Sequence, residues 1–141
     1  MRRITPALCL VTALLSAQLS APPLAAQTAD PGISATINGQ IEALRKDDFD
    51  RAFDFASPTI RQLFGTAPNF GTMVRQGYPM VHRPGAVRLL ELRDVAGRLW
   101  QRVMITDTEG RTHLLDYEMQ QGPGGWQING VQILPDPGPM I

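Results

Sequence analysis

The feature that most constrains the fold is a change of period along the chain. Apolar residues recur every three or four positions as far as Gly77, and close to every second position from Val87 onward. The first half therefore predicts helices and the second predicts strands. Because the two kinds are segregated rather than alternating, the expected class is α+β: N-terminal helices packed on a curved four-stranded antiparallel sheet.

In the helical half, Asp30-Pro31 reads as a cap and first helical position, since proline needs no amide partner there. Ile33, Ile37, Ile41 and Leu44 follow on one stripe facing a core, with Asn38, Gln40, Glu42, Arg45 and Lys46 expected on the wet side. A second helix over 48–56 carries Phe49, Ala52, Phe53 and Ala56. Ser57-Pro58 caps a third, with Ile60, Leu63 and Phe64 apolar and Gly65 as its stop; capping accounts for Ser57 without a nucleophilic role. A fourth begins at Asn69, uses Phe70, Met73 and Val74, and ends over Gly77 to Pro79. The acidic run Asp47, Asp48, Asp50 and Asp54 lacks the glycine and terminal glutamate of a calcium loop, and reads as a solvated helix face and cap.

Four strands are expected over 87–95, 99–106, 111–120 and 126–134, separated by Ala96-Gly97, Glu109-Gly110 and Gly122-Pro123-Gly124-Gly125. Such short turns predict a meander. The core-facing set is Leu99, Gln101, Val103 and Ile105 in the second strand and His113, Leu115, Tyr117 and Met119 in the third. In the last strand Trp126 and Ile128 fall on one face and Val131 and Ile133 on the other, with a bulge or close approach expected at Gly130. Trp100 and Met104 share the otherwise polar face of the second strand and are candidate interface residues for a homodimer.

Ahead of all this, Arg2 and Arg3 precede an apolar run over 8–19 and the small residues Ala21, Ala25 and Ala26. That series predicts a secretory leader, residues 1–26, removed so that the mature chain begins at Gln27. Its apolar core is shorter than the roughly 20 residues that span a bilayer, so no integral membrane segment is expected after processing. About 115 residues then remain, enough for one domain over 27–134 with a Pro/Gly-rich tail over 135–141. Cys9, the single cysteine, leaves with the leader, so no disulfide or thiolate site is expected. The mature net charge of about −2 does not favour nucleic acid.

Helices followed by a curved sheet that closes on Gly125-Trp126-Gln127-Ile128-Asn129-Gly130-Val131 resemble the cone-shaped superfamily of nuclear transport factor two, ketosteroid isomerases and SnoaL-type cyclases. More narrowly, Asp47-Asp48, Phe53, Ala56-Ser57-Pro58, Ile60 and Phe64-Gly65 are similar to an uncharacterised family of secreted proteobacterial domains. Phe70, Met73-Val74, Tyr78, Val81 and Arg83-Pro84 continue that likeness. The resemblance implies a fold and a periplasmic or secreted bacterial setting. It implies no activity, because these motifs are structural and the acid, base and tyrosine set of the catalytic relatives does not align.

Candidate site residues follow from where a pocket under the helices would lie: Tyr78, His82, His113 and Tyr117. Either histidine has the pKa range of a general base, while Tyr117 is alternatively a buried ring with its hydroxyl on a backbone carbonyl. His82 and His113 are too few for a zinc site, which takes three or four protein ligands. Arg83 and Arg88 stand without a basic patch and read as solvated loop residues. No cofactor motif is present. The expected function is therefore binding of a small apolar ligand or a protein partner, with an acid-base isomerase or dehydratase and a homo-oligomeric assembly module as alternatives.

Overall fold

The computed structural model describes residues 30–135; the expected leader, its processing point and the tail beyond Pro135 lie outside them. Asp30 caps the first helix, α1 (Pro31–Arg45), through Oδ1, which accepts from the Gly32 amide at 2.7 Å and from that of Ile33 at 3.4 Å. The stripe of Ile33, Ile37, Ile41 and Leu44 is buried as its spacing predicts. Gln40, expected on the wet side, is instead buried, its Nε2 donating to the carbonyl oxygen of Ala52. Aromatic rings lie directly on this helix where side chains are missing. A Cβ at Gly32 would stand 2.7 Å from Trp126 Cδ1, and one at Gly39 would stand 2.7 Å from Phe55 Cζ.

Asp48 caps α2 (Phe49–Asp54) rather than belonging to it, and the helix stops before Ala56. The reason is a competing set of hydrogen bonds. Ile128 donates its amide to Phe55 O, and Ser57 donates its amide to Ile128 O, so Ala56 forms a parallel bridge beside the last strand. Ser57 is fully buried in a capping role: its Oγ accepts from the Ile60 amide and donates to Asn129 Oδ1 at 2.7 Å. It opens α3 (Pro58–Phe64), which ends at Gly65 in the left-handed region, φ 78°.

The next helix, α4 (Ala67–Gly77), starts two residues before the expected Asn69, because Thr66 Oγ1 accepts the Asn69 amide as a cap. Its Phe70 ring sits 5.3 Å from that of Phe53 and 6.0 Å from that of Phe64. A further short helix, α5 (Pro79–His82), was not foreseen; Tyr78 ends α4 and begins α5. No helix among the described residues is long and apolar enough to cross a membrane.

Four strands follow, β1 (Pro84–Val95), β2 (Arg98–Asp107), β3 (Thr112–Gly122) and β4 (Gly125–Ile133), paired antiparallel in the order β1-β2-β3-β4. The chain is thus an α+β domain with helices packed on one face of a curled meander. The first turn needs only Ala96 and Gly97, both at positive φ (53° and 81°), and Asp94 Oδ1 accepts the Gly97 amide.

Two irregularities keep the apolar residues on the covered face. In β1 the register shifts between Leu89 and Leu92, so that Leu89 opposes Val103 and Leu92 opposes Gln101. Gln101, fully buried, fastens this bulge by donating Nε2 to the carbonyls of Leu90 and Arg102 at 2.9 and 3.0 Å. In β4 the expected bulge falls at Asn129, where Ile128 opposes Met119 and Gly130 opposes Glu118. Its consequence corrects the expected facing. With one extra residue inserted, Val131 opposes Tyr117 and Ile133 opposes Leu115, on the same side as Ile128.

Candidate functional site

Between the helices and the covered sheet face lies a cavity of about 240 Å³. Its floor is Tyr117 of β3 with Ile128 and Val131 of β4, and Leu44 of α1 forms part of the wall. Phe70, Met73 and Val74 of α4 contribute another wall, while Ile60, Leu63 and Phe64 of α3 form the rim. Leu63 is 72% exposed and α3 buries no residue, so the cavity reaches the surface beside that helix. The β4 bulge places Val131 in the lining, and Gly130 beside it adds no side chain.

Of the four site candidates the structure brings two together at this cavity, Tyr78 and Tyr117. The Tyr78 hydroxyl donates to Val131 O at 2.8 Å, which ties the junction of α4 and α5 to the sheet. Tyr117 is wholly buried and its hydroxyl has no hydrogen-bond partner among the described residues, in place of the expected backbone carbonyl. Burial, with a smaller contribution from neighbouring Tyr78, pushes the Tyr117 phenol well above its ordinary pKa. The hydroxyl is therefore protonated at neutral pH.

His82 and His113 do not line the cavity. Each is paired with an aspartate instead. His82 Nε2 lies 2.7 Å from Asp47 Oδ1, and Arg83 grips the same carboxylate through both oxygens at 2.9 Å while also donating to Leu44 O. Asp47, at φ 56°, is the hub joining the end of α1 to α5 and β1. The hydrogen bonds from His82 and then Arg83 hold its carboxyl below the usual range. His113 lies 2.8 Å from Asp107 Oδ2 at the β2–β3 turn, where Asp107 Oδ1 also accepts the amides of Glu109 and Arg111. The His113 bond, then that of Arg111, lowers the Asp107 carboxyl too. Both clusters fasten chain segments together.

Trp100 and Met104 are half-buried on the sheet face that none of the described helices covers. They are interleaved with charge. Asp116 accepts from Arg93 at 2.8 Å and from Arg102 at 3.2 Å, Arg102 reaches Glu91 at 3.0 Å, and Arg98 approaches Glu118 at 3.7 Å. The face is thus a neutralised lattice with apolar side chains between its ion pairs.

Sequence reasoning missed most of the lining, Gln40, Ile60, Phe64 and Met73 among it. One signal was available: α3 carries three large apolar residues in seven positions, more than so short a surface helix needs for its own packing. Among the described residues the lining contains no aspartate, glutamate, histidine, lysine or arginine. Gln40 donates one amide hydrogen to Ala52 O, and the Tyr117 hydroxyl, buried beneath the cavity, has no hydrogen-bond partner among the described residues.

Among curated proteins and solved structures the chain has no match. Residues 26–141 match a family model described only as a domain of unknown function, DUF4864, and to that family the chain belongs.

Proposed function

We propose that this chain is an exported bacterial domain, of nuclear transport factor two-like cone shape, that binds a small apolar ligand between its helices and its sheet. The observation that carries the reading is the cavity of about 240 Å³, lined mainly by aliphatic and aromatic side chains and reaching the surface beside α3. Apolar cavities of about 150 Å³ already take up benzene, so this one suits a two-ring molecule or a chain of comparable bulk.

Tetralin is a suitable probe. It should bind the wild type, and Ile60→Trp, which adds an indole at the half-buried rim, should weaken it by about tenfold or more while the melting temperature stays near that of the wild type. Titration calorimetry reads both proteins. A wild type that takes up no tetralin, or an Ile60→Trp variant that binds it equally, removes the reading.

Export is supported by the charged and apolar leader pattern and by the family match, which starts at residue 26, beside the expected processing point. Protein recovered from the periplasm of an expressing bacterium is expected to begin at Gln27 on N-terminal sequencing. A chain still starting at Met1 contradicts export by this leader.

A further inference from the structure

The walls of the cavity are unevenly held. Leu44 of α1, Phe70 and Val74 of α4, Val81 of α5, and Tyr117 and Ile128 of the floor are all buried, so displacing any of them would open the core itself. The rim helix differs. α3 lines the cavity with Ile60, Leu63 and Phe64, yet none of its seven residues is buried. A segment that buries so little apolar surface is displaced at small cost.

The two ends of α3 are also held differently. At its start, Ser57 is fully buried, donates its amide to Ile128 O and its hydroxyl to Asn129 Oδ1, and accepts the Ile60 amide, which fixes this end to β4. At its far end, Gly65 turns in the left-handed region, and a Cβ there would meet no atom within 4 Å beyond its chain neighbours. That end rests on an edge contact between the Phe64 and Phe70 rings, 6.0 Å apart, and on one exposed side-chain bond, from Asn69 Nδ2 to Phe64 O at 3.1 Å.

We propose that α3 is the gate of the cavity, pivoting on Ser57 and Gly65 and latched by Asn69, and that it swings aside to admit and release the ligand. The proposal rests on the ligand-binding reading above. It adds the route into the site. A cavity walled elsewhere by core residues exchanges its contents as fast as its weakest wall opens. Asn69 does not line the cavity, so its latch sets how often the gate opens without touching the ligand.

The test follows tetralin on the wild type and on Asn69→Ala, in which the Thr66 cap survives because it uses the Asn69 backbone amide. Calorimetry gives the affinity and nuclear magnetic resonance line shapes give the release rate. Loss of one exposed hydrogen bond should raise release about three- to tenfold. Affinity should stay within about twofold of wild type, so entry speeds up by a similar factor. A latch with a merely structural role would leave both rates alone. Hydrogen exchange gives a second readout: the amides of α3 should exchange faster than those of α1 and α4, faster again in Asn69→Ala, and more slowly when tetralin is bound. Unchanged rates in Asn69→Ala, or α3 amides as protected as those of α1, overturn the gate while leaving the cavity reading intact. Uptake of no tetralin by the wild type overturns the cavity reading and the gate with it.

Discussion

Ile37→Ala should destabilise the domain by about 3 kcal/mol, seen as a lower denaturant midpoint with an unchanged slope. Ile37 is wholly buried at the middle of the α1 stripe, with Ile33 a turn before it and Ile41 a turn after. Truncation there removes three carbons from the centre of the core cluster, between side chains that are themselves buried on the same helix stripe. The surroundings have little freedom to collapse into the space, so the transfer loss and the void add. Ile37→Val should cost about 1 kcal/mol, and Leu63→Ala, at a side chain 72% exposed, should stay within about 0.5 kcal/mol of wild type. A midpoint for Ile37→Ala equal to that of Leu63→Ala would mean that the stripe does not face the core.

That contrast marks what periodicity alone reveals. Both Ile37 and Leu63 are large apolar residues at helical spacing, and only the long helix provides enough repeats to tell a buried stripe from a pocket rim. The meander was legible because its turns are chemically explicit, Ala96-Gly97 above all. The facing of β4 was not. The change of phase between Ile128 and Val131 marks a bulge, and it is the extra residue at Asn129 that returns Val131 and Ile133 to the side of Ile128, where counting in twos puts them on the other face. Gln40 was misplaced for a related reason, since its polarity suggests water whereas its amide meets a carbonyl of α2.

The site was half legible. All four candidates follow from the strand face and the loop expected to border the pocket; Tyr78 and Tyr117 do line it, and the two histidines do not. What decides their place is a partner. For His82 it is Asp47, 35 positions away in sequence, and for His113 it is Asp107 across the β2–β3 turn.

Asp116→Ala is the second large effect expected, a loss of about 2 kcal/mol at neutral pH. Asp116 is charged, only 10% exposed at its side chain, and lies between Arg93 and Arg102, which are 31% and 25% exposed. Removing the carboxylate leaves two guanidiniums close together on a partly dried sheet face, one of them with a buried Nε that has no hydrogen-bond partner among the described residues. The partial exposure of both arginines keeps the cost below the roughly 3–5 kcal/mol of a fully buried broken pair. A double-mutant cycle with Arg102→Ala should return a coupling of about 1 kcal/mol or more, decreasing in concentrated salt.

The pH dependence distinguishes charge from packing. Burial raises the Asp116 carboxyl, but the hydrogen bonds from Arg102 and Arg93 outweigh it, so the folded-state pKa lies below the ordinary value. A group depressed in this way contributes stability above its unfolded pKa of about 3.9 and loses it as pH falls through the lower, folded value. The gap between wild type and Asp116→Ala should therefore be full at pH 7, begin to narrow below about pH 4, and be smallest in strong acid. Asp47 and Asp107 are depressed as well, so the wild type loses stability over the same acid range. Chemical melts of both proteins at pH 7 and in acid decide the matter: a gap that stays constant assigns the effect of Asp116 to packing, and no gap at pH 7 removes the ion lattice as a source of stability.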